Sequence, residues 1–228
     1  MEISKEIAKL HFITTDHPTI SHAEQAIRAY KAGCKWVQLR MKEASVEIIE
    51  QEAFKIVPVA NAHNAILLIN DRVEIVKKTG AHGVHLGKKD RCPSEARAIL
   101  GDKYIIGGTS NTLEDIFSLI EKGVDYVGLG PFRFTSTKKN LSPILGKEGY
   151  EKILSGLSAK NRHIPVIAIG GIHEADIQSL KKIGIHGIAL ASSIMKEDKM
   201  EENIRQFQTL INYKEKIKYT GLEAHFGF

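Results

Sequence analysis

Only two cysteines, Cys34 and Cys92, occur in 228 residues, too few and too isolated for a disulfide framework or a cysteine-based zinc site. Idle thiols in a reducing compartment are the reading that follows. No apolar run reaches membrane-spanning length, and Met1 to Leu10 alternates charged with apolar residues instead of forming a signal-peptide core. Those features point to the cytoplasm. The ten histidines show no metal-ligand spacing, and no G-x-S-x-G elbow or Ser/His/Asp arrangement is present. A nucleophilic hydrolase is therefore not indicated. The formal charge of +5 is spread along the chain, and no short basic block alternates with stacking aromatics. That argues against nucleic acid as a partner and for attraction of an anionic small molecule.

What the chain does have is one repeated theme: a short apolar run, a glycine or polar break, then a segment with helical period. Strands are expected at 10–15, 36–40, 66–70, 83–86, 104–107, 126–129, 166–169 and 187–190. Continuous apolar runs of this length suit strands covered on both faces. Helices are expected at 21–32, 45–62, 73–78, 93–100, 113–122, 147–157, 174–183 and 201–213. Ser21 with Glu24 forms a capping pattern, Pro93 suits a first helical turn, and Gly33, Gly80, Gly123 and Gly184 stand where helices end. Eight alternations predict an α/β fold, a single (β/α)8 TIM barrel over 1–213, with a tail at 214–228 that shows no period. A doubly wound sheet is the rival, and the first strand lacks the G-x-G-x-x-G that would favour it. The connection at 140–146 is long, as lids often are.

In a barrel, residues just after each strand share one rim, where barrel enzymes keep their chemistry. Alternation puts Gln38, Arg40 and Lys42 on one side of the second strand. Asn70-Asp71-Arg72 follows the third, and His85 to Asp90 closes the fourth. Asp71 and Asp90 leave neighbouring strands. They are either turn formers or, with substrate phosphate oxygens, a Mg2+ site. Gly170-Gly171 and Ala191-Ser192-Ser193 follow strands seven and eight, where barrels commonly hold phosphate; tight turns are the alternative. After the sixth strand, Thr135, Ser136, Thr137, Lys138 and Lys139 offer hydroxyls and ammonium groups either to water or to phosphate oxygens. Two facing anion sites, one of them metal-assisted, suit the joining of two phosphorylated substrates.

The residues Gln38-Leu39-Arg40-Met41-Lys42, Ile69-Asn70-Asp71-Arg72, Gly83-Val84-His85-Leu86-Gly87 with Asp90, Gly128-Leu129-Gly130-Pro131-Phe132 with Thr135 to Lys138, Ile169-Gly170-Gly171-Ile172 and Ala191-Ser192-Ser193-Ile194 come in an order that resembles the thiamine-phosphate synthase family. The resemblance spans the chain from the first strand to the eighth. It implies that a pyrimidine pyrophosphate and a thiazole phosphate combine to give thiamine phosphate and pyrophosphate. It further implies that Gln38, Leu39, Arg40, Met41, Lys42, Asn70 and Lys138 hold the pyrophosphate substrate. Asp71 and Asp90 would hold Mg2+. Thr109 stands where the family usually has a pyrimidine-contacting serine, with Ser110 as the shifted alternative. Thr135, Ser136, Thr137, Gly171, Ala191 and Ser192 would hold the thiazole phosphate. Arg40, Lys42 and Lys138 would act catalytically by stabilising the leaving charge.

Two positions depart from the family pattern. Many members have histidine where Asn111 stands and glutamine near Lys88, so a proton-transfer role at 111 is in doubt. A thiazole tautomerase on the same fold, a sugar-phosphate epimerase and a non-catalytic phosphate-binding barrel are the competing readings. The retained Arg40, Lys42, Asp71 and Asp90 favour the synthase over the tautomerase. The expected partners are small molecules, with neither nucleic acid nor membrane, and self-association into a homo-oligomer is left open.

Overall fold

The structure, a computed structural model, describes residues 5–135, 142–158, 161 and 163–213. Ser136, Thr137, Lys138, residues 140 and 141 of the long connection, and the 214–228 tail lie outside the described residues. The strands are β1 (Leu10–Ile13), β2 (Trp36–Leu39), β3 (Ile66–Asn70), β4 (Gly83–Leu86), β5 (Ile105–Ser110), β6 (Tyr126–Leu129), β7 (Val166–Ile169) and β8 (Gly187–Leu190). Each pairs in parallel with its sequence neighbours, and β1 pairs with β8 through Leu10 and Ile188, closing a barrel. The helices are α1 (His22–Lys31), α2 (Val46–Ala62), α3 (Val73–Thr79), α4 (Pro93–Leu100), α5 (Leu113–Glu121), α6 (Gly146–Ser155), α7 (Ile177–Ile183), α8 (Ser192–Met195) and α9 (Met200–Asn212). The (β/α)8 architecture expected from the alternating pattern is the one observed. Among the described residues, no helix is long and apolar enough to cross a membrane.

Local chemistry accounts for these boundaries. Ser21 and Ser45 accept from the backbone N–H groups of Glu24 and Ile48, each meeting a donor that the first helical turn leaves unpaired. Thr112 and Asp115 form a reciprocal capping box at the start of α5. Gly80 and Gly184 end α3 and α7 in the left-handed conformation, where a side chain would be strained.

The period of two along each strand divides the apolar residues between two cores. Phe12, Val37, Leu39, Leu67, Ile69 and Val127 face the helices. Ile13, Trp36, Leu68, Ile105, Tyr126 and Ile167 fill the barrel. Burying side chains of this kind contributes roughly 1.5–3 kcal/mol each, so both layers are large stabilising terms. Inside the barrel, His11 stacks on Trp36 with ring centroids 4.5 Å apart, and Tyr126 meets both rings edge-on. Burial holds the His11 imidazole well below its usual pKa, so it packs as a neutral ring.

Three details differ from expectation. β5 continues past the Gly107-Gly108 pair to Ser110, pairing Thr109 with Gly128 and Ser110 with Leu129 of β6. The two glycines do not end the strand; they make room within it. A Cβ on Gly107 would lie 2.2 Å from the Tyr126 ring, and one on Gly108 would lie 2.5 Å from Leu119. The single-turn α8 was not among the expected helices, because four residues carry no readable period. The helix expected from 174 begins instead with a 3-10 turn at Glu174–Asp176, and α7 follows it.

Gly107→Ala should destabilise the barrel by roughly 1–3 kcal/mol through overpacking against Tyr126. A urea unfolding midpoint lowered with little change in slope checks this; an unchanged midpoint would show that the ring moves aside at no cost.

Candidate active site

The carboxyl ends of the strands open into one cavity. Its lining includes Gln38, Arg40, Lys42, Asn70 and Asp71 on one side, and Gly170, Gly171, Ala191 and Ser192 on the other. Thr109, Thr135 and Ser142 also line it. Strand alternation explains the first group: Gln38 is buried at the end of β2, and Arg40 and Lys42 continue the same parity. By that parity the Leu39 side chain packs with the outer core and Met41 packs against it, so neither side chain lines the cavity. Ser110 likewise turns away, its hydroxyl donating to the Gly128 carbonyl at 3.3 Å, whereas Thr109 faces in.

Two carboxylates meet on the cationic side. Asp71 has a left-handed backbone, φ 64°, and its N–H donates to the His85 carbonyl at 2.9 Å, which carries β3 across to β4. Asp90 accepts from the Gly87 N–H at 2.6 Å. Burial, and then the adjoining Asp90, push the Asp71 carboxyl up to about 6. Lys42, its ammonium 3.7 Å from Asp71, pulls in the opposite direction. Burial also lowers the Arg40 guanidinium from its usual value, with Asp71 and then Asp16 opposing. Two carboxylates forced together in partial burial are a donor set that a hard dication would relieve. Among the described residues no group of three or more His, Cys, Asp or Glu could hold a metal ion. A two-carboxylate site therefore needs ligand oxygens or water for its remaining positions.

Beneath the cavity runs a polar column. His85 Nδ1 lies 2.8 Å from the Tyr126 hydroxyl, and Nε2 lies 3.0 Å from Thr109 Oγ1. Burial raises the Tyr126 pKa, so the phenol stays protonated and can donate to Nδ1. Each flanking hydroxyl can donate or accept, so the His85 ring links Tyr126 to Thr109 in either tautomer and holds the Thr109 hydroxyl at the cavity. Arg40 is steadied from behind, because Thr14 Oγ1 accepts its backbone N–H at 3.1 Å and lies 2.7 Å from the buried His22 ring.

The departures noted in the sequence acquire positions. Asn111 is buried, and its amide donates 2.9 Å hydrogen bonds to the carbonyls of both Gly130 and Pro143. It thus ties together the two shoulders of the β6–α6 connection. Lys88 pairs with Asp115 at the start of α5, 2.5 Å away. Phe132 is buried edge-on to Tyr150, and Phe134 is exposed. Thr14 and Asn111 support the site without lining it, and single polar residues of this kind carry no signal in a sequence.

The thiamine monophosphate synthase family model matches residues 10–194, most of the chain. The chain is 46% identical over 212 residues to the thiamine-phosphate synthase of Bacteroides thetaiotaomicron, covering 93% of this chain and 100% of that protein. It is 50% identical over 197 residues to the thiamine-phosphate synthase of Bacteroides fragilis, covering 86% of this chain and 97% of that one. Among solved structures it is similar to thiamine phosphate pyrophosphorylase from Pyrococcus furiosus, with a TM-score of 0.78 and 28% identity over 89% of this chain and 95% of that one.

Replacing Asn111 with leucine should cost roughly 1–3 kcal/mol, because the Gly130 and Pro143 carbonyls each lose a donor. Chemical denaturation would measure the loss. Stability equal to the parent would mean that water replaces both bonds.

Proposed function

The chain belongs to the thiamine monophosphate synthase family, and from that membership we infer its reaction. It joins 4-amino-5-hydroxymethyl-2-methylpyrimidine pyrophosphate to 4-methyl-5-(2-phosphonooxyethyl)thiazole, giving thiamine phosphate and pyrophosphate. It is a transferase. The observation that carries the assignment of roles is one cavity with cations and Asp71 on one wall, Asp90 adjoining Asp71 from behind that lining, and a glycine pair on the other wall.

In this reading Arg40, Lys42 and Asn70 hold the pyrophosphate of the first substrate, and Asp71 and Asp90 hold magnesium. Bound there, magnesium would supply positive charge that favours departure of pyrophosphate. Lys138 joins them from the β6–α6 connection. Gln38 and Thr109 orient the pyrimidine, with His85 fixing the threonine hydroxyl. Thr135, Ser136, Thr137, Gly171, Ala191 and Ser192 receive the phosphate of the thiazole. Leu39 and Met41 contribute through their backbone, since their side chains pack outward.

The chemistry follows from these placements. The bond between the pyrimidine CH2 and the pyrophosphate oxygen breaks, and its electron pair leaves on pyrophosphate. Arg40 and Lys42, already set at the cavity wall, stabilise that charge as preorganised cations, and Lys138 adds a third positive charge. The pyrimidine amino group donates electron density to the CH2 centre. The thiazole nitrogen then attacks, positioned by its distant phosphate. That nitrogen carries no proton, so the step needs no general base. The cavity accordingly offers cations and hydroxyls instead of a nucleophile–base pair.

Release of pyrophosphate should require both substrates and Mg2+, and should match the thiamine phosphate formed in the same samples. Isomerisation or binding of the thiazole phosphate alone, with no pyrophosphate released, would reassign the chain to another chemistry on the same fold.

The carboxylate pair has its own test. Mg2+ should raise the melting temperature of the parent protein, and Asp71→Asn should abolish that response while leaving the metal-free protein no less stable, because a repulsion has been removed. A full Mg2+ response in Asp71→Asn would place the ion elsewhere.

A further inference from the structure

A phosphate held by Gly170 and Gly171 depends on which way their peptides face, and glycine itself has little preference. Both residues have positive φ, 96° and 62°, so the turn is open to many conformers in an isolated chain. The neighbouring connection selects one of them. The Phe132 N–H donates to the Ile169 carbonyl at 2.8 Å, and the Arg133 N–H donates to the Gly170 carbonyl at 2.9 Å. The Arg133 guanidinium then donates through Nη1 to the Gly171 carbonyl at 2.6 Å. The same guanidinium grips Asp176 with two bonds, 2.7 Å from Nη1 and 2.9 Å from Nη2. Asp176 in turn accepts the His173 N–H at 2.8 Å. Four consecutive residues, Gly170 to His173, are thus anchored at three points by one ion pair and its backbone.

Peptide planarity converts these anchors into a statement about donors. In a trans peptide the C=O and the following N–H point in opposite directions. The Gly170 carbonyl faces the Arg133 backbone, so the Gly171 N–H faces away from it. The Gly171 carbonyl faces the guanidinium, so the Ile172 N–H is turned away as well. Gly170, Gly171 and Ile172 all line the cavity. Among the described residues neither amide donates to a backbone carbonyl.

We propose that Arg133, held by Asp176, is a positioning residue that turns the Gly171 and Ile172 N–H groups toward the phosphate of the thiazole substrate. The identity of that substrate rests on the function inferred above; the orientation of the donors does not. The Arg133 side chain is 44% exposed, and exposed ion pairs contribute little to stability. Its consequence is therefore expected in binding and not in folding. Arginine suits the task because its planar fork can hold a carboxylate and a carbonyl at once, which an ammonium cannot reproduce.

The test uses the full chain with Arg133→Met, which removes the fork, and Arg133→Lys, which keeps only the charge. Steady-state kinetics should show the KM for the thiazole phosphate rising about tenfold in Arg133→Met, the loss expected for weakened hydrogen bonds to an anion. The KM for the pyrimidine pyrophosphate should change much less, and Arg133→Lys should fall between the parent and Arg133→Met. A second arm measures inorganic phosphate binding by calorimetry, without any reaction. There the parent should bind phosphate and Arg133→Met should bind it about tenfold more weakly. If the parent makes no thiamine phosphate yet shows this dependence, the function fails and the role of Arg133 stands. The role is overturned if phosphate does not bind the parent, if binding is unchanged in Arg133→Met, or if both KM values rise together as the melting temperature falls.

Discussion

Closure of the seam between β8 and β1 is the constraint on which the rest of the structure depends. Leu10, His11 and Phe12 pair with Ile188, Ala189 and Leu190, and the Ile188 N–H donates to the Lys9 carbonyl at 2.8 Å. The seam is tight. A Cβ on Gly187 would lie 2.4 Å from the Lys9 carbonyl oxygen. Once it closes, no strand has an unpaired edge, and the eight carboxyl ends form one rim. The cations after β2, the carboxylates after β3 and β4 and the glycines after β7 come from distant parts of the sequence. Only the closed ring makes them neighbours.

Around that rim the charges are arranged in opposition. Arg40 and Lys42 are drawn toward Asp71, yet Asp71 and Asp90 repel each other, and burial penalises both signs. In the function proposed above, an anion and a dication entering together would balance this constellation. On that reading, local stability is exchanged for a site that ligand charges complete. The surrounding packing tolerates this because the helix-facing and barrel-filling cores are apolar and continuous.

Much of this was legible in the sequence, for physical reasons. The strands stood out because buried parallel strands are short unbroken apolar runs. The helix ends stood out because Gly80 and Gly184 occupy conformations that other residues avoid. Gln38, Arg40 and Lys42 were placed on one side by parity alone, and the same parity turns the side chains of Leu39 and Met41 outward. The extension of β5 was hidden because Gly107 and Gly108 look like a break, and only the positions of Tyr126 and Leu119 explain them. Arg133 and Asn111 were illegible as supports, since their partners are backbone carbonyls up to 38 residues away. A carbonyl leaves no mark in a sequence.

The stacked pair in the barrel floor has an optical consequence. Trp36 is the only tryptophan of the chain, fully buried and lying against a neutral imidazole. Its emission therefore originates wholly from the dry interior, one layer below Gln38. Intrinsic fluorescence in this protein is a gauge of whether the barrel is shut. Ligands at the rim reach that signal through Gln38 and through the Thr109–His85–Tyr126 column, whose last ring lies edge-on to Trp36, and no other indole contributes to the spectrum.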